Sequence, residues 1–213
     1  ARIVAGRECS IDEIERMVKH SGLEVEVFVH GSLCVSVSGQ CYLSSFAGGR
    51  SGNRGRCAQP CRKKYDLLSG NRTVIRRNTL LSPRDLCTID EVEKLYEIGV
   101  NSIKIEGRMK KPEYVYAAVS AYKEKIFGEN IDKADIDINF AEKSDVDVTM
   151  AEKSNVLRDN LKNNMMLMTN RPFTKGFLFK DFGKSYGFIE ENSTGINVGK
   201  VKKDKNGMYF ISI

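Results

Sequence analysis

No stretch of the chain stays apolar for the roughly 20 residues that a membrane-spanning helix needs, and the opening residues, ARIVAGRECS, lack the long apolar core of a secretory signal peptide. The expected address is the cytoplasm. Histidine is scarce: His20 and His30 are the only two, so no serine or cysteine nucleophile can be matched with a base and an orienting acid. An H-E-x-x-H zinc-protease helix is missing as well. The cysteines lack the paired C-x-x-C knuckles of zinc ribbons, and a reducing cytoplasm argues against a disulfide framework. Acidic residues are absent from one whole region, with none between Glu26 and Asp66.

What fills that region is basic. Arg50, Arg54, Arg56, Arg62, Lys63 and Lys64 lie inside it, and Arg72, Arg76 and Arg77 follow soon after, although the net charge of the 213 residues is only +6. Such a patch can neutralise phosphates and makes RNA the expected partner. The same charge also suits a solvated basic loop with no partner.

The hydrophobic pattern alternates between two periods. Arg2 to Ala5 reads as a short strand, and Ser10 with Glu13 forms a capping-box pattern before Ile11, Ile14, Met17 and Val18 at helical spacing. Val25 to Val29 alternates with period two and ends at His30-Gly31, where the cysteine-rich stretch begins. Thr88 and Glu91 repeat the capping pattern ahead of Ile89, Val92, Leu95 and Ile98, with Gly99 as the stop. Ser102 to Glu106 is a strand, and Pro112 opens a longer helix that Gly128 would stop. The order β-α-β-α-β-α predicts an α/β fold with parallel strands. A (β/α)8 barrel of the TIM type needs about 250 residues, so the expectation is a partial barrel over 1–135 with a cysteine-rich insertion at 31–87. Its open edges would be completed by another segment or a second chain. Over 136–213, IDINF and VDVTM read as strands, NVLRDNLKNNMMLM is ambiguous, and the residues around Asn206-Gly207 read as a hairpin, which together predict a small β-rich module.

Five of the six cysteines, Cys34, Cys41, Cys57, Cys61 and Cys87, follow the pattern C-x6-C-x15-C-x3-C-x25-C. Irregularly spaced thiolates on a long loop suit an iron–sulfur cluster first; structural zinc and buried or redox-active thiols are the other readings.

Four stretches, EVFVHGSLCVSVSGQCYLS (Glu26 to Ser44), NRGRCAQPCR (Asn53 to Arg62), LSPRDLC (Leu81 to Cys87) and GVNSIKIEGRMKKPEYV (Gly99 to Val115), together resemble the U32 peptidase family, the collagenase-like proteases. NRPFTKGFLF (Asn170 to Phe179) resembles the entry to that family's smaller β domain. The resemblance implies either hydrolysis of collagen or gelatin peptides, or iron–sulfur proteins of oxygen-independent hydroxylation, acting on a tRNA wobble uridine, an rRNA cytidine or a ubiquinone precursor, with prephenate as an oxygen donor in some members. Four thiolates would saturate a metal and leave no place for a hydrolytic water, which favours hydroxylation of RNA. By resemblance Cys34, Cys41, Cys57 and Cys87 are the ligands of the cluster, of the 4Fe-4S type, and Cys61 competes with Cys57 for the third place. His30 and Glu106 sit at strand C-terminal ends, the active face of a barrel, and Arg108 just beyond could clamp a carboxylate or phosphate. They serve equally as a strand-end histidine and a structural Glu-Arg pair. A zinc-stapled or RNA-binding scaffold without catalysis is the third reading.

Overall fold

The computed structural model describes residues 1–127 and 171–181, together with the backbone of 200–203 and 209–212. Among the described residues no helix is long and apolar enough to cross a membrane.

The first βα unit forms as its local signals direct. Strand β1 (Arg2–Val4) leads to helix α1 (Ile11–Ser21). There the Glu13 carboxylate accepts from both the backbone N–H and the hydroxyl of Ser10, each at 2.8 Å, satisfying a donor that the first turn leaves free. Gly22, at φ 64°, ends the helix in the left-handed conformation. Strand β2 (Glu24–Ser32) runs past the expected Val29 through His30 and Gly31. It lies parallel to β1 on one side and to β6 (Ser102–Ile105) on the other. Helix α3 (Val92–Glu97) precedes β6, and helix α4 (Pro112–Phe127) follows it, opened by Pro112 as expected. Val25, Val27 and Val29 pack with Ile14, Leu95, Ala118 and Tyr122, so the helices cover one face of the three parallel strands. The alternation and parallel pairing match the expectation. No closed barrel is present among the described residues, where the outer edges of β1 and β6 carry no further strand.

The rest departs from the pattern. Strand β5 (Asp85–Cys87) joins β2 antiparallel, and β7 (Phe173–Thr174) joins β5 in parallel, making the sheet mixed. Strands of three and two residues are too short to show a period, so pairing alone defines them. The segment expected to open a separate module is thus part of this sheet, and Leu178 lies in the same core. Thr88 does not cap α3. A bulge between Phe28 and His30 disturbs the β2–β6 ladder, and the Val29 carbonyl accepts instead from Thr88 N–H at 3.1 Å, Thr88 hydroxyl at 3.1 Å and Tyr122 hydroxyl at 2.8 Å. A single 3-10 turn, Ile89–Glu91, precedes the shortened helix.

Within the 31–87 insertion stand α2 (Leu43–Gly48), two 3-10 turns, and a hairpin of β3 (Tyr65–Ser69) and β4 (Arg72–Asn78) about Gly70-Asn71. Near the C-terminus, β8 (Lys200–Lys203) pairs antiparallel with β9 (Tyr209–Ser212) as the hairpin reading requires. Its turn at Asn206-Gly207, the IDINF, VDVTM and NVLRDNLKNNMMLM segments and Gly128 lie outside the described residues.

One glycine is set by close approach. Gly31 has φ 108°, and a Cβ there would meet the Glu106 carbonyl oxygen at 2.4 Å. Gly31→Ala is expected to destabilise the fold by about 2–4 kcal/mol through backbone strain and overpacking. Gly22→Ala, at φ 64° with nothing within 4 Å, should cost only about 1 kcal/mol. Urea midpoints at unchanged m check both; equal shifts would refute the contact.

Candidate metal centre and basic loop

Parallel strands put their C-terminal ends on one edge, and the chain just beyond β1, β2 and β6 carries Arg7, Cys34 and Glu106. They meet there. Arg7 donates from Nη2 to Glu106 Oε2 at 2.9 Å, its Nη1 lies 4.0 Å from Cys34 Sγ, and its guanidinium stacks 3.8 Å over the Phe28 ring. The other Glu106 oxygen accepts from the Arg108 backbone N–H at 3.1 Å. Glu106 therefore orients a guanidinium and a loop, while the exposed Arg108 side chain reaches Gly55, where a Cβ would be 3.2 Å from its Nη1. Glu8 fastens the cysteine loop to the β1 end, accepting from Ser38 N–H at 3.1 Å and Ser38 hydroxyl at 2.9 Å.

The loop gathers four thiols. Cys61 feels Cys57, Cys34 and Cys41 as neighbouring charges; burial pushes its own thiol up, opposed by the Arg62 guanidinium. Cys87, expected as a ligand, lies on β5 opposite His30 and is buried in the core cluster with Tyr122. Cys61, expected only as a competitor, is near enough to Cys57, Cys34 and Cys41 to feel each of them. Among the described residues no group of three or more His, Cys, Asp or Glu side chains converges as on a metal ion. The fit to a metal–thiolate group is one of donor type and charge, without closed ligand geometry.

The charge is supplied by a buried network. Asp85, 0% exposed, accepts from Arg171 Nη2 at 2.6 Å and Nε at 3.1 Å, and from Lys110 Nζ at 2.9 Å. Burial raises its carboxyl, but Arg171 and Lys110 outweigh that and hold it below the usual range. Arg171 also donates to the Ser32 hydroxyl at 2.7 Å. Arg62 is close enough that Lys110 feels it together with Arg171. Burial first, and then Arg171, bring the Arg62 guanidinium down to about 10. Asp85 is thus the shared acceptor of Arg171 and Lys110, with Arg62 near enough for Lys110 to feel its charge. Of the six cations expected to face RNA, Arg62 is thus the exception: it is buried and bonded to Ser82 hydroxyl, Leu33 carbonyl and Pro83 carbonyl. Arg50, Arg54, Arg56, Lys63 and Lys64 are exposed.

His30 is buried near the same network, close enough to feel Asp85 and Lys110. The bulge turns it toward Tyr114 and Tyr122 of α4 and Phe173 of β7, with ring centroids 5.5–5.7 Å apart. Among the described residues neither ring nitrogen has a hydrogen-bond partner, and burial lowers its pKa to about 4. A histidine held neutral in an aromatic cage is no base for an exposed nucleophile.

The sequence matches the family model for peptidase family U32 over residues 1–186. The chain belongs to that family. Among its U32 relatives are an uncharacterised protease of Methanocaldococcus jannaschii, 33% identical over 94% of this chain, the tRNA hydroxylation protein P1 of Bacillus subtilis, 40% identical over 59%, and a collagenase of Porphyromonas gingivalis, 41% identical over 58%. The chain spans 48%, 31% and 33% of these relatives' own lengths. No solved structure matches it. A protease, a collagenase and a tRNA hydroxylation protein thus stand together among its relatives. Arg7, Asp85, Lys110 and Arg171 are the site residues that sequence reasoning passed over. Asp85 and Arg171 stand in LSPRDLC and NRPFTKGFLF, two of the stretches that carry the resemblance, yet nothing local marks them as partners.

Proposed function

We propose that the chain is the thiol-bearing part of a U32 iron–sulfur protein that hydroxylates RNA in the cytoplasm, with a tRNA wobble uridine as the target. The observation that carries this is the coincidence of four thiols and five exposed cations on one acid-free loop, in a relative of a protein named for tRNA hydroxylation. Cys34, Cys41 and Cys57 would hold a 4Fe-4S cluster, with Cys87 as the fourth ligand by family resemblance and Cys61 as the thiol next to the other three. Such a cluster supplies one-electron redox chemistry when bound. Arg7 would steady Cys34 and Glu106, and the buried cations would offset the cluster's negative charge. Prephenate is the proposed oxygen donor, and another segment or a second chain would complete the barrel.

Iron and acid-labile sulfide in the anaerobically purified full-length protein test the cluster. Cys34→Ser, Cys41→Ser and Cys57→Ser are each expected to abolish iron binding, and whichever of Cys61→Ser and Cys87→Ser also does so identifies the fourth ligand. Zinc without iron or sulfide would instead indicate a stapled scaffold. A deletion strain whose tRNA keeps its 5-hydroxyuridine-derived nucleosides by mass spectrometry would sink the substrate assignment. The collagenase relative supports a second reading, peptide hydrolysis; it requires gelatin cleavage by pure protein that persists after the cluster is removed.

A further inference from the structure

The acid-free loop carries two aromatic rings with no packing role. Phe46 is 90% exposed and Tyr42 60% exposed, two neighbouring rings open to solvent. They lie one turn apart. Tyr42 is the residue that opens α2, and Phe46 N–H donates to its carbonyl at 3.0 Å.

Their support is firm. Ser44, buried between them in sequence, accepts the Ala58 N–H on its hydroxyl at 2.9 Å, and Gly49, at φ 64°, closes the helix with a bond to the Ser45 carbonyl at 2.8 Å. Both ends of this unit adjoin the thiols. Cys41 precedes Tyr42, and Ala58 follows Cys57, itself packed near Gly52. The nearest charges along the chain are the exposed Arg50, Arg54 and Arg56, and the closest acids in sequence are Glu26 and Asp66.

We infer that Tyr42 and Phe46 form a stacking platform for unpaired RNA bases, which the surrounding arginines hold by their phosphates. This rests on the RNA reading and names the form of RNA taken. Flat exposed rings on a loop whose nearest charges along the chain are arginines are complementary to the π-faces of splayed bases, which paired bases bury in their own stack. A six-residue helix is too short to lie along a membrane as an amphipathic anchor.

Fluorescence anisotropy with the full-length, cluster-loaded protein tests it, using an RNA stem-loop and a blunt RNA duplex of equal length. The stem-loop should bind more tightly. Phe46→Ala and Tyr42→Ala should each weaken it about tenfold, at unchanged iron content and salt slope, while Phe46→Trp retains binding. Arg54→Ala should weaken both RNAs and lower the salt slope by about 1. Unchanged stem-loop binding by Phe46→Ala, alongside weakening by Arg54→Ala, would overturn the platform and leave the RNA reading standing. Loss of all RNA binding in the parent protein overturns both. Phe46-dependent uptake by phosphatidylserine vesicles without RNA binding would assign the rings to a membrane surface and refute the inference.

Discussion

Asp85→Asn is expected to cost about 3–5 kcal/mol of stability, the range for removing one partner of a buried ion pair. Its carboxylate is fully buried and is the acceptor for both Arg171 and Lys110. The amide keeps the shape and some of the hydrogen bonds, but removes the negative charge that the side chains of Arg171 and Lys110 both bond. Desolvated cations cannot recover their hydration inside the sheet, so the loss appears in folding. The comparison is Glu24→Gln at the exposed pair with Arg2, whose side chains are 56% and 44% accessible; its effect should be far smaller, because solvent screens the pair. Adding Arg171→Met to Asp85→Asn should restore part of the loss, because it removes one of the stranded charges. Urea unfolding at neutral pH measures all three. A shift of under about 1 kcal/mol for Asp85→Asn would mean that the cations already have another counter-ion.

Acidification from pH 6.5 to about 4 should remove about 3 kcal/mol of stability through His30 alone. Its folded pKa is lowered to about 4 from 6.5, burial in the aromatic cage being the main cause. Below pH 6.5 the unfolded chain takes up a proton that the native chain refuses, so stability is full above 6.5 and falls until the folded value is reached. Asp85, Glu26 and Glu91 also have lowered carboxyls, and each contributes in a lower window, below the ordinary carboxylate range. The slope above pH 5 therefore belongs to His30. His30→Phe should flatten it at equal ionic strength while keeping the ring contacts. A parent protein whose stability does not change between pH 6.5 and 5 would refute the buried neutral state.

The elements legible in the sequence are those whose signals are local. Ser10 with Glu13, the spacing of Ile14 and Met17, and Pro112 ahead of α4 concern neighbours a few residues apart, and each helix starts where they indicate. Thr88 carries the same signal as Ser10, but its hydroxyl goes to Val29, 59 residues away, because the bulged carbonyl competes for it. The basic, acid-free loop and its thiols were plain from composition, since charge and cysteine content do not depend on the path of the chain. Which of its charges face water did depend on that path. Arg62 and Arg54 look alike in sequence, yet Arg62 is drawn inward by acceptors at Ser82 and Leu33.

Asp85 and Arg171 are 86 residues apart and pair through strands too short to have a period. The sequence places His30 at the C-terminal end of a strand, and its burial against Tyr114 of α4 is visible only in the fold. By itself the sequence determined the βα order and the chemical content of the loop, for which helical and strand periods and residue type suffice. Only the tertiary structure decided which thiols and cations stand together and which side chains are sealed from water, because burial and ion pairing depend on partners that chain order leaves far apart.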